Sequence, residues 1–249
     1  MPAGGGASAP PLDLGVVGGG GSAQGGDSAT TQCAVAALGN PGQNASTNFA
    51  LWLSERGPRV DRFRSGAPLE ELTPDTLSSY QVVLLDWLPE GTQLGVSADQ
   101  LAAWVQEGGR LIALSGYVDS ASDPTVTNTL LQPLSLAFDT SHNQTISGQV
   151  VEFADHPITA GLASGASFSG IPFTGGWPLT FAAADVPIMT LNGSVVGAAA
   201  LRGRGKAFVF GDEWITFDSE WAKTPEIERL WFNVFDWFGG CELSPPVVH

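Results

Sequence analysis

Residues 98–114 carry the clearest change of hydrophobic pattern in this chain, from helical spacing to an unbroken apolar run. The apolar positions of the first part recur every three or four residues, as on one face of a helix: Ala98, Leu101, Ala102 and Val105. Gly108 and Gly109 follow, and glycine readily adopts the left-handed conformation that ends a helix. Residues 111–114 then lack polar alternation, which is typical of a strand covered on both faces of a parallel sheet.

The same succession of buried strand and amphipathic helix recurs elsewhere in the chain. Further core strands are predicted at residues 33–38, 80–86 and 206–211. Further helices are predicted at residues 48–55 and 225–238, with a helical turn at 72–77 and a weaker, edge-like strand at 59–64. Strands that alternate with helices predict an α/β fold with a mainly parallel central sheet, right-handed crossovers and helices on both faces.

The pattern is less regular in the second half of the chain. We expect a short helix, a strand and an irregular stretch with short strands, at residues 128–134, 149–153 and 168–185 respectively. Two strand-like runs at residues 186–191 and 195–201 are joined by Asn192 and Gly193, and this dipeptide is a strong signal for a β-hairpin.

Residues 1–32 form a leader rich in Gly, Ser and Ala, which cannot bury enough apolar surface to offset the entropy lost on ordering. We therefore divide the chain into a flexible leader (1–32), an α/β domain (33–241) and a C-terminal tail (242–249). Such a leader is typical of the spacer after a cleaved export signal or lipid anchor. We expect an exported protein, periplasmic, cell-surface or secreted, with a cytoplasmic protein as the alternative.

The chain carries 25 acidic and 10 basic residues, for a net charge of −15. A strongly acidic protein repels polyanions, which argues against nucleic acid as a partner. Its apolar runs fall well short of the ~20 residues that a membrane-spanning helix needs, so no transmembrane segment is expected. Since the sequence contains neither CxxC nor a Cys/His cluster, we expect no structural zinc site. We expect no cofactor and assign no residue as a metal ligand.

The two cysteines, Cys33 and Cys241, are expected to form a disulfide. Cys33 opens the first predicted strand and so lies at the amino edge of the sheet. The helix at residues 225–238 follows the last strand and must run back towards that same edge, and Cys241 comes directly after it. A bridge would favour an oxidising compartment, whereas two buried thiols in a cytoplasmic protein are the alternative.

Three segments stand out in chain order: the helix followed by GGRLIALSG (98–116), DHPITAGL (155–162), and GRGKAFVFGDEW with the closing helix ERLWFNVFDWF (203–238). Together they resemble the class I glutamine amidotransferase-like superfamily, especially its ThuA-like branch. The resemblance covers most of residues 33–241 and implies a flavodoxin-like three-layer sandwich. It also implies a nucleophilic cysteine at the turn after residues 111–114, and a histidine two residues before a glutamate after the last strand.

This chain lacks both of those catalytic groups. Ser115 stands near the position of the cysteine, and Gly211-Asp212-Glu213 replaces the histidine-containing stretch. Glutaminase chemistry is therefore not expected, because the thiolate and its base are both missing. Ser115 is either a nucleophile on a strained turn or a small polar residue that opens a loop, and His156 is expected to have a structural role.

Acidic and aromatic residues follow several predicted strands and would meet at the carboxyl edge of the sheet, where α/β proteins bind ligands. The carboxylates are Asp86, Asp119, Asp123, Asp212, Glu213 and Asp218, which form either a cation-binding rim or a solvated one. The loop tryptophans are Trp87, Trp177, Trp214 and Trp221, which either stack on a flat polar ligand such as a sugar or pack beneath a long loop. The loop at residues 39–48 precedes a helix and can hold an anion.

Two hypotheses follow. The first is a non-catalytic amidotransferase-like domain of an exported bacterial protein, which binds a carbohydrate or a protein partner at the carboxyl edge. Its expected ligand-binding residues are Asn40, Asn44, Asp86, Trp87, Tyr117, Asp212 and Trp214. The alternative is a hydrolase of esterase or glycosidase type that uses Ser115 or rim carboxylates such as Glu213. A histidine or carboxylate within hydrogen-bond reach of Ser115 would favour the hydrolase.

Overall fold

The computed structural model describes residues 32–39, 47–63, 72–88, 90–115, 124–141, 145–163, 168–221 and 223–244. The chain divides into two compact units, residues 1–31 and 32–249, and every described residue belongs to the second. The predicted leader therefore lies outside the described residues except for Gln32, and of the predicted tail only residues 242–244 are described.

An eight-stranded sheet forms the centre of the second unit. In spatial order its strands are β2 (Arg59–Phe63), β1 (Ala34–Leu38), β3 (Val82–Asp86), β4 (Arg110–Leu114), β12 (Gly205–Phe210), β11 (Ser194–Arg202), β10 (Val186–Leu191) and β7 (Glu152–Phe153). The first five run parallel, and the last three add antiparallel pairs. This arrangement confirms the predicted α/β fold with a mainly parallel central sheet.

Helices and two short ribbons cover both faces of this sheet. On the first face lie α1 (Thr47–Glu55), α5 (Asp218–Trp221), α6 (Glu226–Phe238) and a ribbon of β6 (Ile146–Val150) with β8 (Ile171–Gly176). On the second face lie α2 (Pro74–Leu77), α3 (Ala98–Gln106), α4 (Thr125–Leu131) and a ribbon of β5 (Leu136–Phe138) with β9 (Leu179–Phe181).

The unbroken apolar runs are explained by this two-sided cover. All five residues of β1 and all five of β3 are buried. Successive strand residues point to opposite faces, so Leu84 belongs to the core of the first face and Leu85 to the core of the second. The edge strand β2 is only partly buried, as its weaker pattern predicted.

Two basic side chains hold the C-terminal end of α6 at the amino edge of the sheet. Arg110 and Lys206 are paired in register at the starts of β4 and β12. The Arg110 side chain donates to the Phe238 carbonyl at 3.1 Å, and the Lys206 ammonium donates to the carbonyl of Trp237. Cations are stabilising at this end of a helix because its last carbonyls are unpaired and carry partial negative charge.

The predicted disulfide between Cys33 and Cys241 is confirmed. Because α6 runs back to the amino edge, Cys241 arrives beside the residue that precedes β1. Described helices are all too short or too polar to cross a membrane.

The structure differs from the sequence-based prediction mainly in the second half of the chain. The single strand predicted at residues 149–153 is two strands, because the chain leaves the β6–β8 ribbon at Val151 and joins β10 of the main sheet through β7. The helix predicted at 128–134 starts earlier, at Thr125, and its last turn is a 3-10 helix at Gln132–Leu134. The stretch at 168–185 contains the two ordered strands β8 and β9.

Candidate functional site

The carboxyl edge of the parallel strands brings together the ends of β3, β4 and β12. Their registers place Asp86, Leu114 and Phe210 side by side as the last residues of the three strands. Trp87, Ser115 and Gly211 therefore begin the three loops that leave this edge. Ligands of open α/β sheets bind in the crevice outside the carboxyl ends of the strands, so this edge is the expected position of a ligand.

Ser115 is buried at this edge, with 3% of its surface exposed. No described residue forms a hydrogen bond with its hydroxyl group. The neighbouring carboxylate, Asp86, lies in the same register row as Leu114, and strand alternation directs both of those side chains to the first face. Among the described residues, we therefore find no base for the Ser115 hydroxyl group.

His156 lies at the opposite edge of the sheet from Ser115. Its ring packs edge-on against Trp237, with 5.3 Å between ring centroids, and Trp237 belongs to the end of α6 that Lys206 holds. Its Nδ1 accepts a hydrogen bond from the Ile158 backbone N–H, which starts the 3-10 turn at Pro157–Thr159. Burial lowers the pKa of His156. In the HPIT segment, residues 156–159, His156 thus caps a short turn and packs against α6.

The chain crosses over the carboxyl end of β12 between the two ribbons. It leaves β8 on the first face, passes Trp177, and enters β9 on the second face. The backbone N–H of Trp177 donates to the Gly211 carbonyl at 2.8 Å. A Cβ added to Gly211 would lie 1.9 Å from the Trp177 carbonyl oxygen, so glycine is required for the two backbones to approach this closely. The crossing covers the position where the resemblance places a catalytic histidine.

Asp212 clamps this crossing to the end of β12. Its carboxylate accepts hydrogen bonds from the backbone N–H groups of Thr174 and Trp214, the second at 3.0 Å. The residue has no exposed surface. Burial raises the pKa of Asp212 to about 7, because desolvation of the charged form outweighs the backbone N–H groups that favour it. These hydrogen bonds join the end of β8 and the turn after β12 through one side chain.

Glu213 and Trp214 start the 3-10 turn that follows Asp212. Glu213 is buried, and its carbonyl accepts a hydrogen bond from the Thr216 N–H at 2.8 Å. Trp214 is half-buried and packs edge-on against Phe217, with 5.9 Å between ring centroids. Of the two residues, only Trp214 presents part of its side chain at the surface.

Trp87 has the most unusual conformation at this edge. Its φ of 41° lies in the left-handed region, which costs a residue with a side chain roughly 1 kcal/mol or more. Its indole N–H is buried, and no described residue accepts a hydrogen bond from it. The backbone on both sides of Trp87 is closely packed: Leu88 lies in the second-face core, and Gly39 lies so close that an added Cβ would be 1.8 Å from the Asp86 carbonyl oxygen.

The other two loop tryptophans of the sequence analysis are packing residues. Trp177 is 1% exposed and belongs to the second-face core. Trp221 lies on α5, packs edge-on against Trp52 at 5.1 Å between centroids, and donates its indole N–H to the Ile215 carbonyl at 2.7 Å. The sequence could not distinguish these rings from Trp87 and Trp214, because burial depends on α5 and on the crossing, neither of which was predicted.

Several predicted site residues lie outside the described residues: Asn40, Asn44, Tyr117, Asp119 and Asp123. Within the described ranges, no group of three His, Cys, Asp or Glu side chains is placed to hold a metal ion. The predicted site residues whose side chains are described are Asp86, Trp87, Ser115, Asp212, Glu213 and Trp214, and of these only Trp87 and Trp214 are partly exposed.

No family model matches the sequence, and no curated protein matches it at a significant level. Solved structures do match. The cytoplasmic protein STM1381 from Salmonella typhimurium LT2 aligns with a TM-score of 0.59 at 14% identity, over 84% of this chain and 97% of that one. The mmIFT52 N-terminal domain aligns with a TM-score of 0.57 at 14% identity, over 86% and 99%. PurLQS from Thermotoga maritima aligns with a TM-score of 0.50 at 15% identity, over 83% and 99%.

At such low identity these likenesses concern the fold alone. They support the flavodoxin-like, glutamine amidotransferase-like fold that the three sequence segments implied.

Proposed function

We propose that this protein is a non-catalytic, amidotransferase-like binding domain whose ligand lies at the carboxyl edge of the sheet against Trp87 and Trp214. The observation that carries the proposal is Trp87: a bulky residue in the left-handed region with a buried, unpartnered indole N–H. Strain of this kind persists where the surrounding structure fixes it, and it clusters at ligand-binding positions. A ligand with an acceptor oxygen would satisfy the indole N–H.

A binding role is better supported than hydrolysis. Nucleophilic catalysis by Ser115 needs a base within about 3 Å, or one bridging water. The one described histidine, His156, packs at the opposite edge of the sheet. Asp212 and Glu213 are buried in the clamp that holds the crossing. No observation on the described residues favours an esterase or a glycosidase.

A neutral carbohydrate is the ligand class that we favour. Tryptophan rings offer apolar faces to a sugar, and their indole N–H groups donate to its hydroxyl oxygens. The net charge of −15 disfavours anionic ligands. A protein partner that inserts a polar side chain beside Trp87 is the other occupant of the same edge.

We further propose that the protein is exported and belongs to the ThuA-like branch. Support for export comes from the disulfide, since such bonds persist in oxidising compartments. The Salmonella structure with a TM-score of 0.59 is named a cytoplasmic protein, so fold similarity does not favour export. Support for the branch rests on the three sequence segments.

The test is a binding screen against neutral mono- and oligosaccharides, read by calorimetry, on the wild type and on Trp87→Ala and Trp214→Ala. Trp104→Ala is the matched control, because Trp104 is also half-buried but lies on α3 beside Gly109, where β4 begins. We expect both edge variants to lose about tenfold or more in affinity, which corresponds to about 1.4 kcal/mol. Equal affinity in the wild type and both edge variants would remove the proposal, as would a screen without any binding.

A further inference from the structure

Asp212 joins two elements that the rest of the fold holds with different firmness. Its carboxylate accepts the Thr174 N–H through Oδ2 and the Trp214 N–H through Oδ1. Thr174 lies within β8, where pairing with Ser147 of β6 fixes it in a ribbon. Trp214 begins a single 3-10 turn, and the backbone hydrogen bonds of that turn are donated by later residues. The Asp212 carboxylate is therefore the group that holds the Trp214 N–H.

The residue after Trp214 is anchored independently of Asp212. The Ile215 carbonyl accepts the indole N–H groups of Trp221 at 2.7 Å and Trp231 at 2.8 Å, and the Ile215 side chain is buried in the first-face core. A change at Asp212 is thus confined to the start of the turn and does not unfold it. Because Trp214 is half-buried, a displacement there alters the surface of the carboxyl edge.

The charges placed around Asp212 are mainly of its own sign. It has no exposed surface, and none of the described Lys or Arg side chains forms an ion pair with it. The strand β8 carries no charged residue, the turn contributes the buried Glu213, and α5 contributes the buried Glu220, to which Lys223 bonds at 2.8 Å. Asp86 ends β3, two strands away from β12. Burial and the charge of Glu220 both raise the pKa of Asp212.

The two protonation states of Asp212 hold Trp214 differently. In the carboxylate both oxygens are full acceptors, and hydrogen bonds to a charged acceptor are roughly twice as strong as neutral ones. In the acid one oxygen carries the proton and accepts poorly, so one of the two N–H groups is held less tightly. Since the ribbon fixes Thr174, the turn is the side that can adjust. Burial therefore favours the acid, whereas the contact with Trp214 favours the carboxylate.

We propose that Asp212 is a proton-controlled positioning residue, whose ionised form holds the Trp214 backbone at the carboxyl edge and whose protonated form releases it. The step transfers one proton between solvent and a carboxylate oxygen and needs no other reagent. The Trp214 ring is one of the two that the proposed binding site uses, so ligand affinity should fall as the pH falls. That consequence rests on the proposed function, but the release of Trp214 does not.

The experiment follows the backbone amides of Thr174 and Trp214 by nitrogen–proton NMR on the ligand-free full chain, from about pH 5 to pH 9. We expect both amides to shift with one midpoint, near the pKa of about 7. Below it, nuclear Overhauser effects between the rings of Trp214 and Phe217, whose centroids lie 5.9 Å apart, should weaken. The contact between Trp221 and Trp52 is the control and should not change, because Ile215 anchors Trp221.

Three variants assign the transition to Asp212. Asp212→Asn does not titrate and should abolish it. Two further substitutions change the charge nearby and keep both hydrogen bonds of Asp212. Glu220→Gln removes a negative charge and should move the midpoint to lower pH, whereas Lys223→Gln leaves Glu220 unneutralised and should move it to higher pH. These two keep the test decisive even where Asp212→Asn is too unstable to study.

The proposal is overturned if the Trp214 amide does not titrate, if Asp212→Asn keeps the transition, or if Glu220→Gln and Lys223→Gln move the midpoint in the same direction. Titration of the amide with an unchanged Phe217 contact would also overturn it, because Asp212 would then ionise without positioning Trp214.

The ligand gives a separate readout. The affinity for the best sugar of the screen should fall about fivefold between about pH 9 and pH 5, which corresponds to about 1 kcal/mol, and should stay level in Asp212→Asn. Release of Trp214 in a protein that binds no sugar would leave the role of Asp212 standing and remove only the binding function. Release with a constant sugar affinity would overturn the link between Asp212 and the binding site.

Discussion

Cys33 and Cys241 are bonded across 208 residues, with 5.3 Å between their Cα atoms. The bond joins the residue before β1 to the chain just after α6, so it links the two ends of the α/β domain at the amino edge of the sheet. It closes nearly the whole described fold into one loop. Its strength as a constraint therefore comes from the entropy it removes from the unfolded chain.

The first prediction concerns this bond. Replacing both cysteines in Cys33→Ser/Cys241→Ser should lower the free energy of unfolding by up to about 5 kcal/mol, the chain-entropy figure for so long a loop. Guanidinium unfolding with and without a reductant measures it. The reductant should destabilise the wild type and leave the double variant unchanged. A double variant as stable as the oxidised wild type would contradict the expectation.

The second prediction is that Asp212 makes stability fall as the pH rises from about 4 to 7. Its folded pKa of about 7 lies above the unfolded value of 3.8, so the folded state binds the proton more tightly. The stabilisation is fully present below pH 3.8 and is lost as the pH approaches 7. A shift of about three pKa units corresponds to up to about 4 kcal/mol.

Asp212→Asn tests this, because the amide is of similar size and does not titrate. The variant should be less stable overall, since its single amide oxygen can accept from only one of the Thr174 and Trp214 N–H groups, but its stability should vary less between pH 4 and 7. Parallel stability profiles for the variant and the wild type, measured by urea unfolding at each pH, would show that Asp212 is not the group responsible.

Much of the parallel half of the fold, and the antiparallel hairpin of β10 and β11, could be predicted from the sequence because their signals are local. The apolar run at β4, the glycines after α3, and the Asn192-Gly193 turn each determine a structure within a few residues. The position of Cys241 also followed, since a helix after a parallel strand must return along the sheet.

The crossing at Trp177 could not be predicted in the same way. It depends on a contact between Trp177 and Gly211, 34 positions apart, and on Asp212 reaching Thr174. Nothing in the local sequence around these residues indicates that they contact each other. The glycines at 176 and 211 were the available signal, since close backbone approach requires them. The unpartnered indole of Trp87 likewise depends on packing that no local pattern reports.

The third prediction concerns the buried ion pair of Arg202 and Asp185. Their side chains form two hydrogen bonds, at 2.5 and 2.8 Å, and Arg202 also donates to the Leu134 carbonyl. Arg202→Ala should cost about 3 kcal/mol or more, because it leaves the Asp185 carboxylate buried and unpaired. Arg204→Ala, two residues away and exposed, is the control and should cost less than about 0.5 kcal/mol. Thermal unfolding of the two variants compares them, and equal losses would contradict the expected role of the pair.

The fourth prediction is that the protein has no glutaminase activity. Ser115 lacks a described base, and the crossing covers the position that a catalytic histidine would take. Incubation with glutamine at high protein concentration should release no ammonia above the rate of a heat-denatured sample. Ammonia release that Ser115→Ala abolishes would show that this serine is catalytic.

The last prediction separates backbone strain at Trp87 from the role of its ring. Trp87→Ala and Trp87→Asn both remove the indole, but asparagine tolerates the left-handed region better than alanine because its short polar side chain bonds locally. Trp87→Asn should therefore be more stable than Trp87→Ala by roughly 1 kcal/mol, while both lose any ligand that the indole binds. Trp104→Asn and Trp104→Ala form the matched pair on α3, where alanine is the better helix former and the order should reverse. Urea unfolding gives the four stabilities, and calorimetry with the best sugar of the screen gives the affinities. If alanine is the more stable replacement at both positions, the strain at Trp87 is not a property of the folded protein, and the observation that carries the proposed binding site is lost.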